Sequence, residues 1–379
     1  MQIARCFRDE DPRADRIYEL TQLDVEMSFA EPGDVMSIVE ECYTAAFERF
    51  GTKPLHKKPW PRLTYEDAMR RYGSDRPDTR FAMELVDLTE IFRGTGFAVF
   101  KDAIEQGGAV RALVVPGRAD ASRKDIDGWA AIAKTRGAKG LVSFAVGGSE
   151  VKSPVAKFFS ADELARLRSA TGARDGDLVL AVAAEYRVAS RSIGEVRRQL
   201  GAELRLVDES THHAMWIHPF PMFERELDGR WTFSHNPFAG PLDEANAKHL
   251  FGDDPGKALS SQYDLVVDGH ELGGGSIRIH NRTMQERAFE VLGISKEEGA
   301  VRFGALLDAL EYGAPPEGGI ATGIDRTLMV VAGLSNARET IAFPKTQTGY
   351  DPLLDAPATL DDKLLEELGL RVIKKPEKG

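Results

Sequence analysis

The chain has 379 residues, 42% of them hydrophobic and 29% charged. This composition is typical of a globular protein and excludes a disordered tail, a collagen-like chain and a disulfide scaffold. The 49 basic and 60 acidic residues give a net charge of −11, which argues against a nonspecific nucleic-acid coat but leaves room for a local basic face. No apolar run approaches the roughly 18 residues of a membrane span, and no signal segment follows Met1. The two cysteines, Cys6 and Cys42, fit a reducing compartment, so we expect a cytoplasmic protein without a membrane partner.

The predicted elements divide the chain into three parts. Residues 1–95 open with two strands and a helix, at Ile3–Arg8, Thr21–Phe29 and Pro32–Phe50. From 96 to 205, strand-like and helical runs alternate, which indicates an α/β module large enough for its own core. Residues 206–379 return to strand patterns. We therefore predict one domain, 1–95 with 206–379, interrupted by an inserted α/β module at 96–205.

The first candidate site lies on the strand Thr21–Phe29. Its side chains alternate, with Gln22 and Asp24 on the polar face. For this strand alone, an ordinary half-solvated strand is the better interpretation. The charged loop that carries Arg8 and Glu10 leaves the same sheet and favours a functional face.

The second candidate site is a predicted hairpin. Asp268-Gly269 is a typical two-residue turn, and it would place Asp264 opposite Gly273. Asp264 and Glu271 would then be diagonal neighbours on one face, roughly 7–8 Å apart. Two carboxylates at this separation can share Mg²⁺ together with substrate phosphates. A pair of exposed acids on a solvated face is an equal alternative.

Three glycines, Gly273–Gly275, follow this acidic pair. Glycines inside a strand indicate a bulge or the close approach of a ligand. Strict alternation would place Arg278 and Glu271 on opposite faces. If both serve one site, the glycine run must shift the strand register.

The third candidate site is a glycine-rich strand that runs into a helix at Gly318–Gly333. Asp325 is the predicted N-cap, so Arg326 would lie in the first helical turn. A cation there opposes the helix dipole, whereas a bound anion would interact with both the amides and the arginine. The alternative is an arginine that points into water.

These segments resemble the signature motifs of the class II aminoacyl-tRNA synthetases. Arg5–Asp11 with Thr21–Glu26 resembles the second motif, and Gly318–Arg326 resembles the third. Glu271–Asn281 is similar to the aspartyl-tRNA synthetases. The inserted module resembles a domain that the bacterial aspartyl enzymes share with an amidotransferase subunit.

The resemblance implies an α+β fold with a six- or seven-stranded antiparallel sheet flanked by helices and interrupted by the inserted α/β module. It also implies an aspartate–tRNA ligase that uses ATP and Mg²⁺. Such an enzyme activates L-aspartate to aspartyl-adenylate and transfers it to tRNA-Asp, with tRNA-Asn left open as a second acceptor.

The resemblance further implies a role for each matching residue. Arg8 would bind the α-phosphate and Arg326 the γ-phosphate, as the catalytic arginines. The other residues of the ATP site would be Asp9, Glu10, Glu271, Gly323, Ile324 and Asp325. Mg²⁺ would bind Asp264 and Glu271. Aspartate would contact Gln22, Asp24, His235 and Arg278.

The chain also departs from the family pattern. Ile17 and Leu20 replace a glutamine and an aromatic residue, and Asn236 stands where many relatives carry a second histidine. The anticodon-binding barrel and the first signature motif, which builds the family's homodimer, would precede Met1. We therefore expect a truncated chain. The competing interpretation is a synthetase-like protein that binds ATP or aspartate without charging tRNA.

Overall fold

The structure is a computed structural model, and it describes residues 1–9, 13–148, 150–226 and 228–373. Within these ranges the strands are β1 (Gln2–Phe7), β2 (Glu19–Ser28), β3 (Arg62–Leu63), β4 (Val86–Asp87), β5 (Ala109–Val115), β6 (Val142–Gly147), β7 (Glu150–Lys152), β8 (Leu178–Ala184), β9 (Ala214–Ile217), β10 (Phe220–Pro221), β11 (Phe223–Arg225), β12 (Trp231–Phe233), β13 (Leu259–Ser260), β14 (Tyr263–Val267), β15 (His270–Ile277) and β16 (Glu317–Gly323). The helices are α1 (Pro32–Phe50), α2 (Tyr65–Tyr72), α3 (Ala98–Glu105), α4 (Arg123–Lys134), α5 (Ala161–Thr171), α6 (Tyr186–Glu203), α7 (Glu244–Phe251), α8 (Arg282–Val291), α9 (Lys296–Ala309), α10 (Ile324–Val331) and α11 (Asp362–Glu367). None of the helices described is both long and apolar enough to cross a membrane.

The main sheet has seven strands in the order β1-β2-β16-β15-β14-β9-β3. Every neighbouring pair is antiparallel except β3 and β9, which are parallel. The predicted antiparallel sheet is therefore confirmed, with one parallel pairing at its edge. The sheet combines strands from both ends of the chain, so residues far apart in sequence share one surface.

One face of this sheet is covered by α1 and α10. Helix α1 packs Val35, Val39 and Phe47 into the main core. Helix α10 adds three consecutive residues, Met329–Val331, to the same core. On the other face α2 covers the β14–β9 end, whereas the region over β2, β16 and β15 carries polar side chains.

The inserted module has its own five-stranded sheet, in the order β4-β5-β8-β6-β7. Helices α4 and α6 cover one face of it, and α3 and α5 cover the other. The strands and helices alternate as predicted, but every pairing in the sheet is antiparallel, rather than the parallel type that such alternation usually indicates. The boundary also differs from the predicted 95/96, because β4 pairs with β5 and so belongs to the module.

The module is attached to the main domain through α6. The buried Arg197 side chain donates hydrogen bonds of 2.8–3.1 Å to four carbonyl oxygens within residues 78–83. Its guanidinium also stacks on the Phe81 ring. Arg187 forms an ion pair with Glu224 on β11. The module is thus joined by specific contacts to two parts of the main domain.

Candidate active site

A row of four directly paired residues crosses the open face of the main sheet. Asp264 pairs with Gly274, Gly274 with Ala321, and Ala321 with Asp24. Directly opposite residues point to the same face, and adjacent strands are about 4.8 Å apart, so the row spans about 14 Å. Because the two middle residues have little or no side chain, the row forms a trough with a carboxylate at each end.

A β-bulge at Leu272 determines which residues of β15 face this trough. Val266 pairs with Glu271, but the next pair is Leu265 with Gly273, so Leu272 is the extra residue. Its side chain is 1% exposed and lies in the main core. The bulge reverses the alternation, which brings Glu271 and Arg278 onto one face and confirms the register shift that their joint use required. The predicted pairing of Asp264 with Gly273 is wrong, since the bulge moves the partner of Asp264 to Gly274.

Asp264 and Glu271 form an acidic pair on this face. Asp264 is only 7% exposed, and its carboxylate accepts a hydrogen bond from Gln262 at 3.2 Å. Burial raises the pKa of Asp264 well above its ordinary value, and the neighbouring Glu271 carboxylate raises it further. Among the described residues, no Lys or Arg nitrogen lies within ion-pair distance of either carboxylate.

The donor chemistry of this pair fits a hard divalent cation. Mg²⁺ binds one or two protein carboxylates and takes its other ligands from water and phosphate. In the described part of the chain, no group of three or more His, Cys, Asp and Glu side chains could hold a metal without such help. The pair thus suits a cation that is shared with a phosphate-bearing ligand.

Arg278 lies beside the other carboxylates of the trough. Its Nη1 donates a 2.9 Å hydrogen bond to Asn236 Oδ1. Burial raises the pKa of Glu26, the nearby Arg278 guanidinium partly offsets this, and the neighbouring Asp24 adds to it. Arg278 is therefore within electrostatic reach of Glu26, which shares the face of Asp24 by strand alternation.

The pKa of His235 responds to Glu271 of the acidic pair and to the arginines Arg278 and Arg8. Desolvation lowers the pKa of His235, the Glu271 carboxylate opposes this effect, and the cationic Arg278 and Arg8 add to it. A charge acts on an imidazole in this way only from nearby. The predicted site residues Arg8, Glu271 and Arg278 thus lie within electrostatic range of His235.

Arg326 lies in the first turn of α10, as predicted. Its Nε and Nη2 donate to the Asp15 carbonyl oxygen at 3.1 and 3.0 Å, and its Nη1 donates to the carbonyl oxygen of Glu271. Burial lowers the pKa of Arg326, while Glu271 and Asp15 oppose this effect. The side chain therefore ties the loop after β1 to β15 beside the acidic pair.

Asp325 is not the N-cap of α10, contrary to prediction. Gly323 occupies that position, and Asp325 Oδ2 accepts the N–H of Thr21 at 2.7 Å. The last pair between β2 and β16 is Gln22 with Gly323, so the Thr21 N–H lies just beyond the ladder. The carboxylate replaces the strand partner that is lost where β16 turns into the helix.

The remaining predicted residues lie at the same end of the sheet. Gln22 is paired with Ala4 and Gly323, and its Oε1 accepts a hydrogen bond from Cys6 Sγ at 3.2 Å. Ile324 is the first residue of α10.

The loop after β1 is only partly described. The Arg8 N–H donates to the Tyr18 carbonyl at 2.8 Å, which continues the β1–β2 pairing by one residue. Asp9 follows and is exposed. Glu10 lies outside the described residues.

Three polar residues near the trough, Gln262, Glu26 and Asn236, were not predicted to belong to the site, although Asn236 was noted as a departure from the family pattern. The alternation of β2 would have indicated Glu26, which follows Gln22 and Asp24 on one face. Gln262 and Asn236 lie in loops, and only the fold brings them to the trough.

A cavity of about 540 Å³ lies elsewhere, between β1, β2 and the segment 338–346. Arg5 and Thr21 line it, and strand alternation places them on the face of β1 and β2 opposite Cys6 and Gln22.

Comparison with known proteins identifies the family. The model of the tRNA synthetases class II (D, K and N) matches residues 1–347. The aspartate–tRNA ligase of Geobacillus kaustophilus is 47% identical over 98% of this chain and 63% of the relative. The aspartate–tRNA(Asp/Asn) ligases of Syntrophomonas wolfei and Bacillus subtilis are 45% and 46% identical, each over 99% of this chain and over 64% and 63% of the relative. The chain thus spans somewhat less than two thirds of the length of these relatives. On the strength of the family model and of these relatives, the chain belongs to the class II tRNA synthetases of the D, K and N group.

Proposed function

We propose that this protein is an aspartate–tRNA ligase, which activates L-aspartate with ATP and transfers the aspartyl group to tRNA-Asp. The observation that supports the proposal is that Arg278 and the acidic pair share one open sheet face, with Arg326 bonded to the Glu271 carbonyl at the end of that face. The names and the 45–47% identity of the relatives favour aspartate among the amino acids of this family. The free cysteines and the tRNA partner fit a reaction in the cytoplasm.

Arg278 is proposed to select the amino acid. One N–H of its guanidinium is used by Asn236, and within the described residues the others have no acceptor and could bind the side-chain carboxylate of aspartate. A planar guanidinium binds a carboxylate through two parallel hydrogen bonds. Asparagine would present an NH₂ group to these donors and leave them unpaired, which gives strong discrimination.

The rest of the trough would complete the amino-acid pocket. Asp24, at the opposite end of the row, would accept hydrogen bonds from the substrate ammonium. Gln22 and His235 lie at the border of the trough and would line the pocket. The short side chains at Gly274 and Ala321 leave room for the substrate between the carboxylates.

ATP is proposed to lie beside the junction of β16 and α10. Arg326 uses three of its five N–H groups on two carbonyl oxygens, and the other two, which have no acceptor among the described residues, would bind the γ-phosphate. Arg8, on the loop after β1, would bind the α-phosphate. The other residues proposed to contact ATP are Asp9, Glu10, Glu271, Gly323, Ile324 and Asp325.

Asp264 and Glu271 would hold Mg²⁺. When bound, the ion would neutralise phosphate charge and bridge phosphate oxygens to the protein. Burial and the neighbouring Glu271 carboxylate raise the pKa of Asp264, and a bound cation would oppose both effects. This proposal fits their placement at one end of the trough, next to Arg326.

The proposed reaction depends on the positioning of the two substrates more than on covalent catalysis by the protein. The α-carboxylate of aspartate attacks the α-phosphorus, a new P–O bond forms, and pyrophosphate leaves. Arg278 orients the attacking amino acid, and Arg8 stabilises the charge that develops on the α-phosphate. A ribose hydroxyl at the 3′ end of the tRNA then attacks the aspartyl carbonyl, and AMP leaves.

Aspartate-dependent exchange of pyrophosphate into ATP tests the first step, with asparagine as the matched control substrate. We expect exchange with aspartate and none with asparagine. Charging assays with tRNA-Asp and tRNA-Asn then test the second step and decide the acceptor. Exchange without charging of either tRNA would support the competing function, a synthetase-like protein that does not charge tRNA. Absence of both exchange and aspartate binding would refute the proposal.

A further inference from the structure

Asn236 makes an unusual pair of hydrogen bonds through a single atom. Its Oδ1 accepts the N–H of Phe238 at 2.9 Å and Arg278 Nη1 at 2.9 Å. Both partners are donors, so the amide oxygen, rather than the NH₂ group, faces them. The first bond closes an Asx turn, which fixes the orientation of the side chain.

The segment that carries Asn236 is anchored to the strand that carries Arg278. The Ile279 N–H donates to the Phe238 carbonyl, and the Gly240 N–H donates to the Ile277 carbonyl, both at 2.8 Å. Buried Gln285 also donates to the Pro237 carbonyl at 2.8 Å. Asn236 is therefore held at a fixed distance from Arg278 by backbone contacts.

The other charged groups near Arg278 do not fix its orientation. The charges of Arg278 and Asp24 both affect the pKa of Glu26. Neither Glu26 nor Asp24 forms an ion pair with Arg278 within the part of the chain that is described. Asn236 thus provides the defined hydrogen bond to this guanidinium.

We propose that Asn236 is a positioning residue that orients Arg278 towards the side-chain carboxylate of the amino-acid substrate. The inference rests on the proposed function and deepens it. Because the amide is neutral, it holds one edge of the guanidinium and leaves its positive charge for the substrate. A carboxylate at position 236 would keep the geometry but compete with the substrate for that charge.

Three substitutions separate this role from a purely structural one. Asn236→Ala removes both hydrogen bonds. In Asn236→Ser, the shorter hydroxyl can still close the turn with Phe238 but does not extend to Arg278. Asn236→Asp keeps both acceptor contacts and adds a charge. Asn281→Ala is the matched control, since Asn281 caps α8 through Met284 without touching the site.

The readouts are the KM for aspartate and for ATP in pyrophosphate exchange, together with the Kd for aspartate from calorimetry. We expect the Ala and Ser variants to raise the aspartate KM and Kd about tenfold, with the ATP KM unchanged. Asn236→Asp should weaken aspartate binding at least as much. Asn281→Ala should change none of these values.

Recovery of normal aspartate binding in Asn236→Ser would overturn the inference, because it would show that the turn alone matters. Unchanged aspartate binding in Asn236→Asp would also overturn it. In both cases exchange by the unmodified protein would leave the proposed function standing. If the unmodified protein neither binds aspartate nor exchanges pyrophosphate, the proposed function fails and the inference fails with it.

Discussion

The two sheets of this molecule differ in how many of their faces are covered. Helices cover both faces of the module's sheet, whereas the main sheet has helices α1 and α10 on one face and an open trough on part of the other. An arginine lies on each sheet. Arg111 of the module is 1% exposed and donates to Asp87 and to the Arg70 carbonyl. Arg278 is half-buried, and among the described residues its guanidinium has one hydrogen-bond acceptor, Asn236 Oδ1. On the covered face the charged side chain forms contacts that stabilise the fold. On the open face the charged side chain is available to bind a ligand.

The largest effect is expected for Arg278→Leu. Loss of the guanidinium leaves the aspartate carboxylate unpaired, so aspartate binding should weaken about 1,000-fold, or about 4 kcal/mol, with ATP binding nearly unchanged. Calorimetric titration with each ligand measures both effects. Arg302→Leu, a change at a surface arginine of α9 that pairs with Glu298, is the control. An equal loss of ATP binding would show that Arg278 has another role.

A core substitution in the module tests the covered sheet. Leu180 is fully buried between the strands and α6, so Leu180→Ala should lower the free energy of unfolding by about 3 kcal/mol. Urea unfolding measures this loss. The aspartate KM should stay within about twofold of normal, since the site lies on the other sheet. A large change in KM would contradict the separation of the two sheets.

Substitutions at two adjacent glycines test which face of β15 is open, because Gly274 pairs with Asp264 and Gly275 pairs with Tyr263 of the core. A Cβ at Gly275 would collide with the backbone of Gly319 and lie 2.7 Å from the Tyr263 ring, so Gly275→Ala should destabilise the fold by about 2 kcal/mol. A Cβ at Gly274 would instead lie 2.7 Å from Asp264 Oδ1, on the open face. Gly274→Ala should therefore reduce pyrophosphate exchange about tenfold with a smaller loss of stability. Similar unfolding free energies for the two variants would contradict the assignment of faces.

The smallest effect is expected for Asp268, a second buried carboxylate, which lies in the turn of the same hairpin. Burial would raise the pKa of Asp268, but the hydrogen bonds from His212 and His213 and the charge of Arg80 more than offset it, so this pKa is lowered. A carboxylate with a lowered folded-state pKa stabilises the fold above its unfolded pKa of about 3.8, and this stability is lost as the pH falls through the folded value. The difference in unfolding free energy between the unmodified protein and Asp268→Asn should shrink by roughly 1 kcal/mol from about pH 5 to about pH 3. A constant difference, measured by urea unfolding, would contradict this expectation.

Local signals predicted the hairpin of this site well. Asp268 and Gly269 both have positive φ, at 53° and 80°, as the two-residue turn requires, and the predicted pairs Val267–His270 and Val266–Glu271 are present. The predicted pair Asp264–Gly273 was wrong because the Leu272 side chain turns into the core. Packing against α1 and α10, rather than the sequence of the strand itself, decides that orientation. The glycines indicated a register shift, but they did not indicate which residue would bulge.

Two other predictions, the N-cap at Asp325 and the boundary of the module, were wrong for different physical reasons. The sequence around Asp325 satisfies the rules for an N-cap, yet its carboxylate bonds to Thr21, more than 300 residues away in the chain. Strand β4 has only two residues, Val86–Asp87, too few for a periodicity signal, so the module boundary was placed too late. Many of the described residues that the resemblance assigns to the site lie on strands of the main sheet, whereas Arg326 lies on α10 and His235 follows β12.

The bulge at Leu272 has a consequence for how this protein tolerates insertions and deletions. The number of residues between the hairpin turn and Arg278, rather than their identity, decides which side of the sheet the arginine reaches. Loss of a single codon at this point would preserve every charged group and still direct the arginine towards α1 and α10. The length of the segment from 271 to 278 should therefore be constrained in natural variants as strictly as its glycines and charged residues.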